Sequence, residues 1–220
     1  MDSIAQDLCR IGRSLYERGY VHASAGNISV RLDDAQGGGW LITPTDASLG
    51  TLQPQMLARI DAQGRQLSGD RASKTLALHQ RIYAVDPSAR CVIHTHATHL
   101  VALTLTGVWQ PQDIVPPLTP YYVMKVGHVP LVPYRRPGDP AVAEWVAQAI
   151  TASQERKLPL RAVMLDRLGP VVWHGGLAEA SATLEELEET ARLWLLSERK
   201  AQPLDEDRIE ELRRTFGALW

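Results

Sequence analysis

Short runs with the two-residue alternation of a strand recur along this chain, and stretches of helical spacing stand between them. Ile28-Ser29-Val30-Arg31-Leu32 alternates in the manner of a half-buried strand. Gly37-Gly38-Gly39 reads as a hairpin turn before a second strand, Trp40-Leu41-Ile42-Thr43. Cys91-Val92-Ile93-His94-Thr95-His96 is a short buried-type strand. Ala162-Val163-Met164-Leu165 and Val171-Val172-Trp173 pair as a hairpin across Arg167 to Pro170. Leu131-Val132-Pro133-Tyr134 suits a sheet edge, because proline cannot donate to an interior ladder. Between these runs, Ile4 to Arg18 places Ile4, Leu8, Ile11 and Leu15 at helical spacing, with Gly19 as its stop. Helices are also predicted over Ser73 to Val85, Ala97 to Leu105, Pro140 to Ala152, Leu177 to Leu196 and Arg208 to Phe216. This interleaving predicts an α/β or α+β fold, with helices flanking one mixed sheet.

The 220 residues suffice for one sizeable core, and no repeat, low-complexity block or linker interrupts them, so residues 1–220 are expected to form a single domain. Lys plus Arg number 23 and Asp plus Glu 25, a net charge of −2 that argues against nucleic-acid or anionic-membrane binding. The N-terminus carries no basic region followed by an apolar run, and no apolar stretch approaches the ~20 residues that span a bilayer. Two cysteines, Cys9 and Cys91, make no disulfide framework. A cytoplasmic protein is expected.

His94-Thr95-His96 is the strongest chemical signal. Residues two apart on a strand face the same side, so the two imidazoles would converge on one metal ion. The same tripeptide also reads as two hydrogen-bonded histidines near a sheet edge. His99, three residues on, reads as a packed helix histidine or as a group that orients a ligand. Ser24-Ala25-Gly26-Asn27 and Thr43-Pro44-Thr45-Asp46 are polar turns. Ser73-Lys74 stands at a predicted helix N-terminus, where free N–H groups favour an anion and Lys74 adds a full charge. Each alone is an ordinary turn or cap; together with His94 and His96 they outline a phosphate cradle beside a metal.

In this order the motifs resemble the class II aldolase/adducin family over nearly the whole chain. The carrying segments are Ser24-Ala25-Gly26-Asn27-Ile28-Ser29, Leu41-Ile42-Thr43-Pro44-Thr45, Ser73-Lys74 and Val92-Ile93-His94-Thr95-His96. Four more segments are most similar to the 3-oxo-tetronate 4-phosphate decarboxylases of that family. They are Thr119 to Gly127, Val129 to Tyr134, Arg136-Pro137-Gly138-Asp139 and Leu184 to Ala191. The resemblance implies a three-layer α/β/α fold around a mixed, largely antiparallel sheet. It implies a homotetramer with active sites between subunits, and a divalent metal on His94 and His96. Zinc is the first expectation, and manganese, iron or cobalt also suit such ligands. It places Asn27, Thr45, Ser73 and Lys74 at the substrate phosphate, with Ser24 and Asp46 adjacent. Tyr121 falls where a tyrosine reaches in from a neighbouring subunit.

Two positions depart from the pattern. Thr75 stands where the family carries a catalytic Glu, and its hydroxyl does not titrate in a useful range. Leu168 stands where a third histidine ligand precedes a glycine. Asp166, His174 and His128 are candidate substitutes for the ligand, and Arg167 or Lys125 for positive charge. An aldolase or epimerase depends on a carboxylate that moves protons. Loss of carbon dioxide from a β-keto acid needs no base, only stabilisation of the enolate that forms. The resemblance therefore implies a lyase that decarboxylates a phosphorylated sugar acid to dihydroxyacetone phosphate. The alternatives are a sugar-phosphate aldolase or epimerase, and a non-catalytic relative.

Overall fold

The alternation on the first strand sorts the molecule into layers. In β1 (Asn27–Arg31), Ile28 and Val30 point into one apolar core, while Asn27 and Ser29 point to the opposite face. The other strands are β2 (Trp40–Ile42), β3 (Ala58–Ile60), β4 (Gln66–Ser68), β5 (Cys91–His94), β6 (Leu131–Val132), β7 (Ala162–Leu165) and β8 (Gly169–His174). They form one eight-stranded sheet in the order β4-β3-β2-β1-β5-β8-β7-β6. Every neighbouring pair is antiparallel except β6 and β7, so the sheet is mixed and largely antiparallel, as expected. The computed structural model describes residues 2–220.

Helices cover both faces. On one side α1 (Asp2–Glu17), α3 (Thr98–Thr106) and α6 (Leu177–Leu196) bury Leu8, Leu15, Leu100, Leu103, Leu184 and Leu187 against Ile28, Cys91, Ile93 and Val172. On the other, α2 (Leu76–Val85) and α5 (Pro140–Glu155) bury Ile82, Tyr83, Val146 and Ile150 against Val92, Val163, Val171 and Trp173. Each fully buried Leu, Ile or Val contributes roughly 1.5–3 kcal/mol, so the two cores hold the strands in register. Among the described residues no helix is long and apolar enough to cross a membrane.

Most predicted elements shift by a few residues at an end: the edge strand stops at Val132, β8 already begins at Gly169, and α5 runs on to Glu155; two shifts bear on the site. The segment expected to be helical from Ser73 becomes helix only at Leu76. Ser73 and Lys74 form a turn before it, with the Ser73 hydroxyl accepting from the Thr75 N–H at 3.3 Å. The strand expected to reach His96 ends at His94, because β8 offers regular pairing only as far as Val171 opposite His94. The short strands β3 and β4 and the helix α4 (Pro120–Lys125) carry no clear alternation or amphipathic period, and the sequence pattern missed them.

Candidate active site

The site lies where β1 and β5 pair, with Asn27 directly opposite His94. Gly26 makes that closeness necessary. It adopts φ +82°, and a Cβ there would stand 2.7 Å from Val21 Cγ1 and 2.9 Å from the His94 carbonyl oxygen. Gly169 does the same from the other side: a Cβ there would meet the Thr95 carbonyl oxygen at 2.0 Å. Two glycines thus close the backbone around the histidine segment.

His94 and His96 do converge, although His96 lies beyond the paired strand. Their ring centroids are 5.1 Å apart. Two imidazoles bound to one tetrahedral ion at Zn–N distances of about 2.0–2.1 Å would have ring centres roughly 5 Å apart. His94 Nδ1 donates to the Pro170 carbonyl at 2.8 Å. This fixes the tautomer and leaves the Nε2 lone pair free, the arrangement that orients a metal-binding histidine. Burial first, then the neighbouring His96, push the His94 pKa down to about 4. Burial and His22 lower that of His96. Both rings are therefore neutral at pH 7, as ligation requires. These two donors fit a divalent ion. Among the described residues no group of three His, Cys, Asp or Glu side chains is arranged to hold one.

The departures from the family pattern line the same space. Thr75, Leu168, His94, Lys74, Asp166 and Arg136 border a pocket of about 120 Å³ whose wall is completed by Leu78, Leu165 and Val142. Asp166 is the one proposed substitute ligand that lines it. His128 instead pairs with Asp113 at 2.9 Å and stacks on Trp220. His174 sits at the far end of β8, opposite Cys91. His99 Nδ1 donates to the Glu188 carboxylate, 2.7 Å away, as a packed helix histidine does. Arg167 and Lys125 are exposed outside the pocket lining. Neither His128, His174, Arg167 nor Lys125 replaces what is lost.

The Thr43–Asp46 turn and the Ser73-Lys74 turn lie side by side. A bridge between Pro44 and Ala72, with Thr45 N–H donating to Arg71 and Ser73 N–H to Thr43, sets the Thr43–Asp46 turn beside Ser73-Lys74. Lys74 Nζ reaches Asp46 Oδ2 at 3.5 Å, and both side chains remain largely exposed. Ser73 and Thr75 hydroxyls are 2.9 Å apart. Ser24 is exposed on the preceding turn. Tyr121 is 63% exposed on α4, a helix that packs on α6 and α7 (Glu206–Phe216), and does not line the pocket.

Sequence reasoning missed two features. His22 approaches His96 edge-on, with centroids 6.2 Å apart; its only signal was a histidine in a small-residue turn. His79, inside the helix predicted over Ser73 to Val85, lies among Asn27, Ser29 and Tyr83 and is fully buried. Burial, then the nearby His94, hold its pKa down to about 3.

Comparison with known proteins completes the assignment. Residues 6–195 match the profile of the Class II Aldolase and Adducin N-terminal domain. The chain belongs to the class II aldolase and adducin family. It is 55% identical over 224 residues to the 3-oxo-tetronate 4-phosphate decarboxylase of Cupriavidus necator, covering 99% of this chain and 97% of that one. The Escherichia coli K12 protein of the same name is 41% identical, with 96% and 95% covered. The crystal structure of Escherichia coli YgbL superposes with a TM-score of 0.85 at 41% identity, covering 96% of this chain and 98% of that one. The three-layer fold that the motif resemblance implied is thus the fold of this family.

Proposed function

We propose that this class II aldolase-family chain is a carbon–carbon lyase that decarboxylates a 3-oxo-tetronate 4-phosphate to dihydroxyacetone phosphate. One observation carries the reading: a converged His94–His96 pair, with the His94 Nε2 lone pair free, lies in the space lined by Lys74 and Thr75. The chain that holds it is 55% identical over 99% of its length to a protein named for that reaction.

Asn27, Ser24, Thr45, Ser73 and Lys74 hold the phosphate, and Asp46 steers the Lys74 ammonium across the turn. His94 and His96 hold a divalent cation, zinc in this proposal. When bound, the cation draws electron density from the substrate's oxygens and stabilises enolate charge. The bond from the carboxylate carbon to C2 breaks, and carbon dioxide leaves. Its electron pair passes into the C2–C3 bond and onto the 3-oxo oxygen. C2 then takes one proton, from Tyr121 of a neighbouring copy or from water, to give the product. No base is consumed, so Thr75 serves as a hydrogen-bonding hydroxyl where an aldolase needs a carboxylate. The apolar wall of Leu168, Leu165 and Leu78 keeps water from the departing carboxylate.

The protein acts as a homotetramer of single 220-residue domains. Exposed Tyr16, Leu105, Tyr121, Leu196 and Phe216 suit burial between copies. Free Cys9 and Cys91 suit the reducing cytoplasm. A second reading, a non-catalytic phosphate-binding relative, is favoured by Thr75 and Leu168 alone. The test supplies purified protein and zinc with 3-oxo-tetronate 4-phosphate and measures dihydroxyacetone phosphate by coupled reduction. Formation of that product supports the decarboxylase. Phosphate binding without turnover moves the assignment to the second reading, and aldehyde release from a fuculose- or ribulose-type phosphate moves it to an aldolase.

A further inference from the structure

The face of β1 that turns away from the larger core carries a buried polar chain of which the proposed chemistry uses only Asn27. Asn27 and Ser29, two apart on the strand, share this face, and His79 and Tyr83, one turn apart on α2, descend onto it. Both ring nitrogens of His79 are engaged: Nε2 lies 2.7 Å from Asn27 Oδ1, and Nδ1 lies 2.7 Å from Ser29 Oγ. Ser29 Oγ is also 2.8 Å from the Tyr83 hydroxyl, which donates to the Ser29 carbonyl at 3.0 Å. All four side chains are buried.

Proton counting fixes the direction of this chain. An amide oxygen only accepts, so His79 Nε2 carries the proton and donates to Asn27 Oδ1. A neutral ring has one donor, so Nδ1 accepts, and the Ser29 hydroxyl donates to it. With the serine proton given to the ring, the single Tyr83 proton serves both of its contacts to Ser29, shared between Oγ and the carbonyl oxygen. Asn27 then has its oxygen committed to His79. Among the described residues no protein group accepts from its Nδ2. Had His79 carried its proton on Nδ1, the favourable amide orientation would be reversed, and a carbonyl oxygen would face the site. Thr43 ties this end of β1 to the Ser73 turn, its hydroxyl accepting from Ile28 N–H and its carbonyl from Ser73 N–H, and at an anion site there an acceptor repels the anion and a donor attracts it.

We propose that His79 is a positioning residue for anion binding: its Nε2–H holds the Asn27 amide with the donor edge toward the substrate phosphate. The assignment rests on the phosphate reading of Asn27 given above. It adds to that reading a device, one residue removed from the ligand, that decides whether the site attracts or repels an oxyanion.

Two measurements test it. Long-range 1H–15N correlation on histidine-labelled holoprotein reads the tautomer of His79 directly; protonation at Nε2 is expected, and protonation at Nδ1 overturns the proposal. Titration with inorganic phosphate then compares His79→Gln, which retains a donor for Asn27, with His79→Leu, which does not. A charge-assisted hydrogen bond contributes roughly 1.5–3 kcal/mol, so His79→Leu should weaken phosphate binding by about tenfold or more, and His79→Gln by no more than about threefold. A folded His79→Leu protein that binds phosphate like the parent overturns the proposal, as does a His79→Gln protein no better than His79→Leu. If the leucine variant does not fold, the tautomer decides. If the parent ignores phosphate and Asn27→Ala changes nothing, the phosphate reading itself fails, and the tautomer still decides how Asn27 is held.

Discussion

Gly26→Ala tests how tightly the site is closed. Gly26 has φ +82°, and an alanine there carries left-handed backbone strain of about 1–2 kcal/mol. Its Cβ would also stand 2.7 Å from Val21 Cγ1 and 2.9 Å from the His94 carbonyl oxygen, where carbon contacts settle at about 3.5–4.0 Å. The carbonyl belongs to a residue paired on both sides, with Asn27 and with Val171, so it does not yield readily. The loop must move instead, at a further cost of about 1–3 kcal/mol for overpacking. Gly19 supplies the control: its φ is +76°, but no atom lies within 4 Å of its Cβ position. Gly19→Ala should therefore show the strain alone. Urea unfolding of the two variants should differ by about 1–3 kcal/mol, with Gly26→Ala the less stable, and only Gly26→Ala should lose phosphate affinity. Equal destabilisation by the two substitutions would refute the packing argument.

Acid should weaken the metal-free protein. His79 and His94 have folded pKa values lowered to about 3 and about 4. Between those values and the unfolded value near 6.5, the unfolded chain binds more protons. Stability then rises with pH in that window, is lost as pH falls below about 6.5, and is level above it; urea midpoints at pH 5.5 and 7.5 that coincide would contradict this. Leu168→His should raise zinc affinity by about tenfold or more, because it adds an imidazole to the pocket that holds His94; an unchanged competition titration would mean that Leu168 does not occupy a ligand position. Lys74→Ala should leave the melting temperature nearly unchanged, since its exposed pairing with Asp46 contributes little, while phosphate affinity falls about tenfold. A large loss of stability with affinity intact would assign Lys74 to the scaffold.

The elements legible in the sequence were those with strong periods. Leu177 to Leu196 has a dense leucine repeat and is helical over that whole span. The hairpin of β7 and β8 was visible because two apolar runs flank a short polar turn. The strands β3 and β4 were not, since Ala58-Arg59-Ile60 and Gln66-Leu67-Ser68 are three residues each, too short to display a period. His94 and His96 were visible through their spacing, although the reason first given for their convergence, a continuous strand, holds only to His94. What draws His96 in is the close approach of Gly169 to Thr95, a tertiary contact with no local signature. His79 was hidden for the opposite reason: it keeps the apolar period of α2, and only the opposing face of β1 reveals that its neighbours are Asn27 and Ser29.

The central claim is that a cation held by His94 and His96 drives loss of carbon dioxide without the usual carboxylate. The direct measurement is carbon dioxide release from 3-oxo-tetronate 4-phosphate by purified protein, first as prepared, then after a chelator, then after stoichiometric zinc. The chelator should abolish release and zinc restore it, with His94→Ala inactive throughout. Release that persists undiminished after complete metal removal, or in His94→Ala, would contradict it.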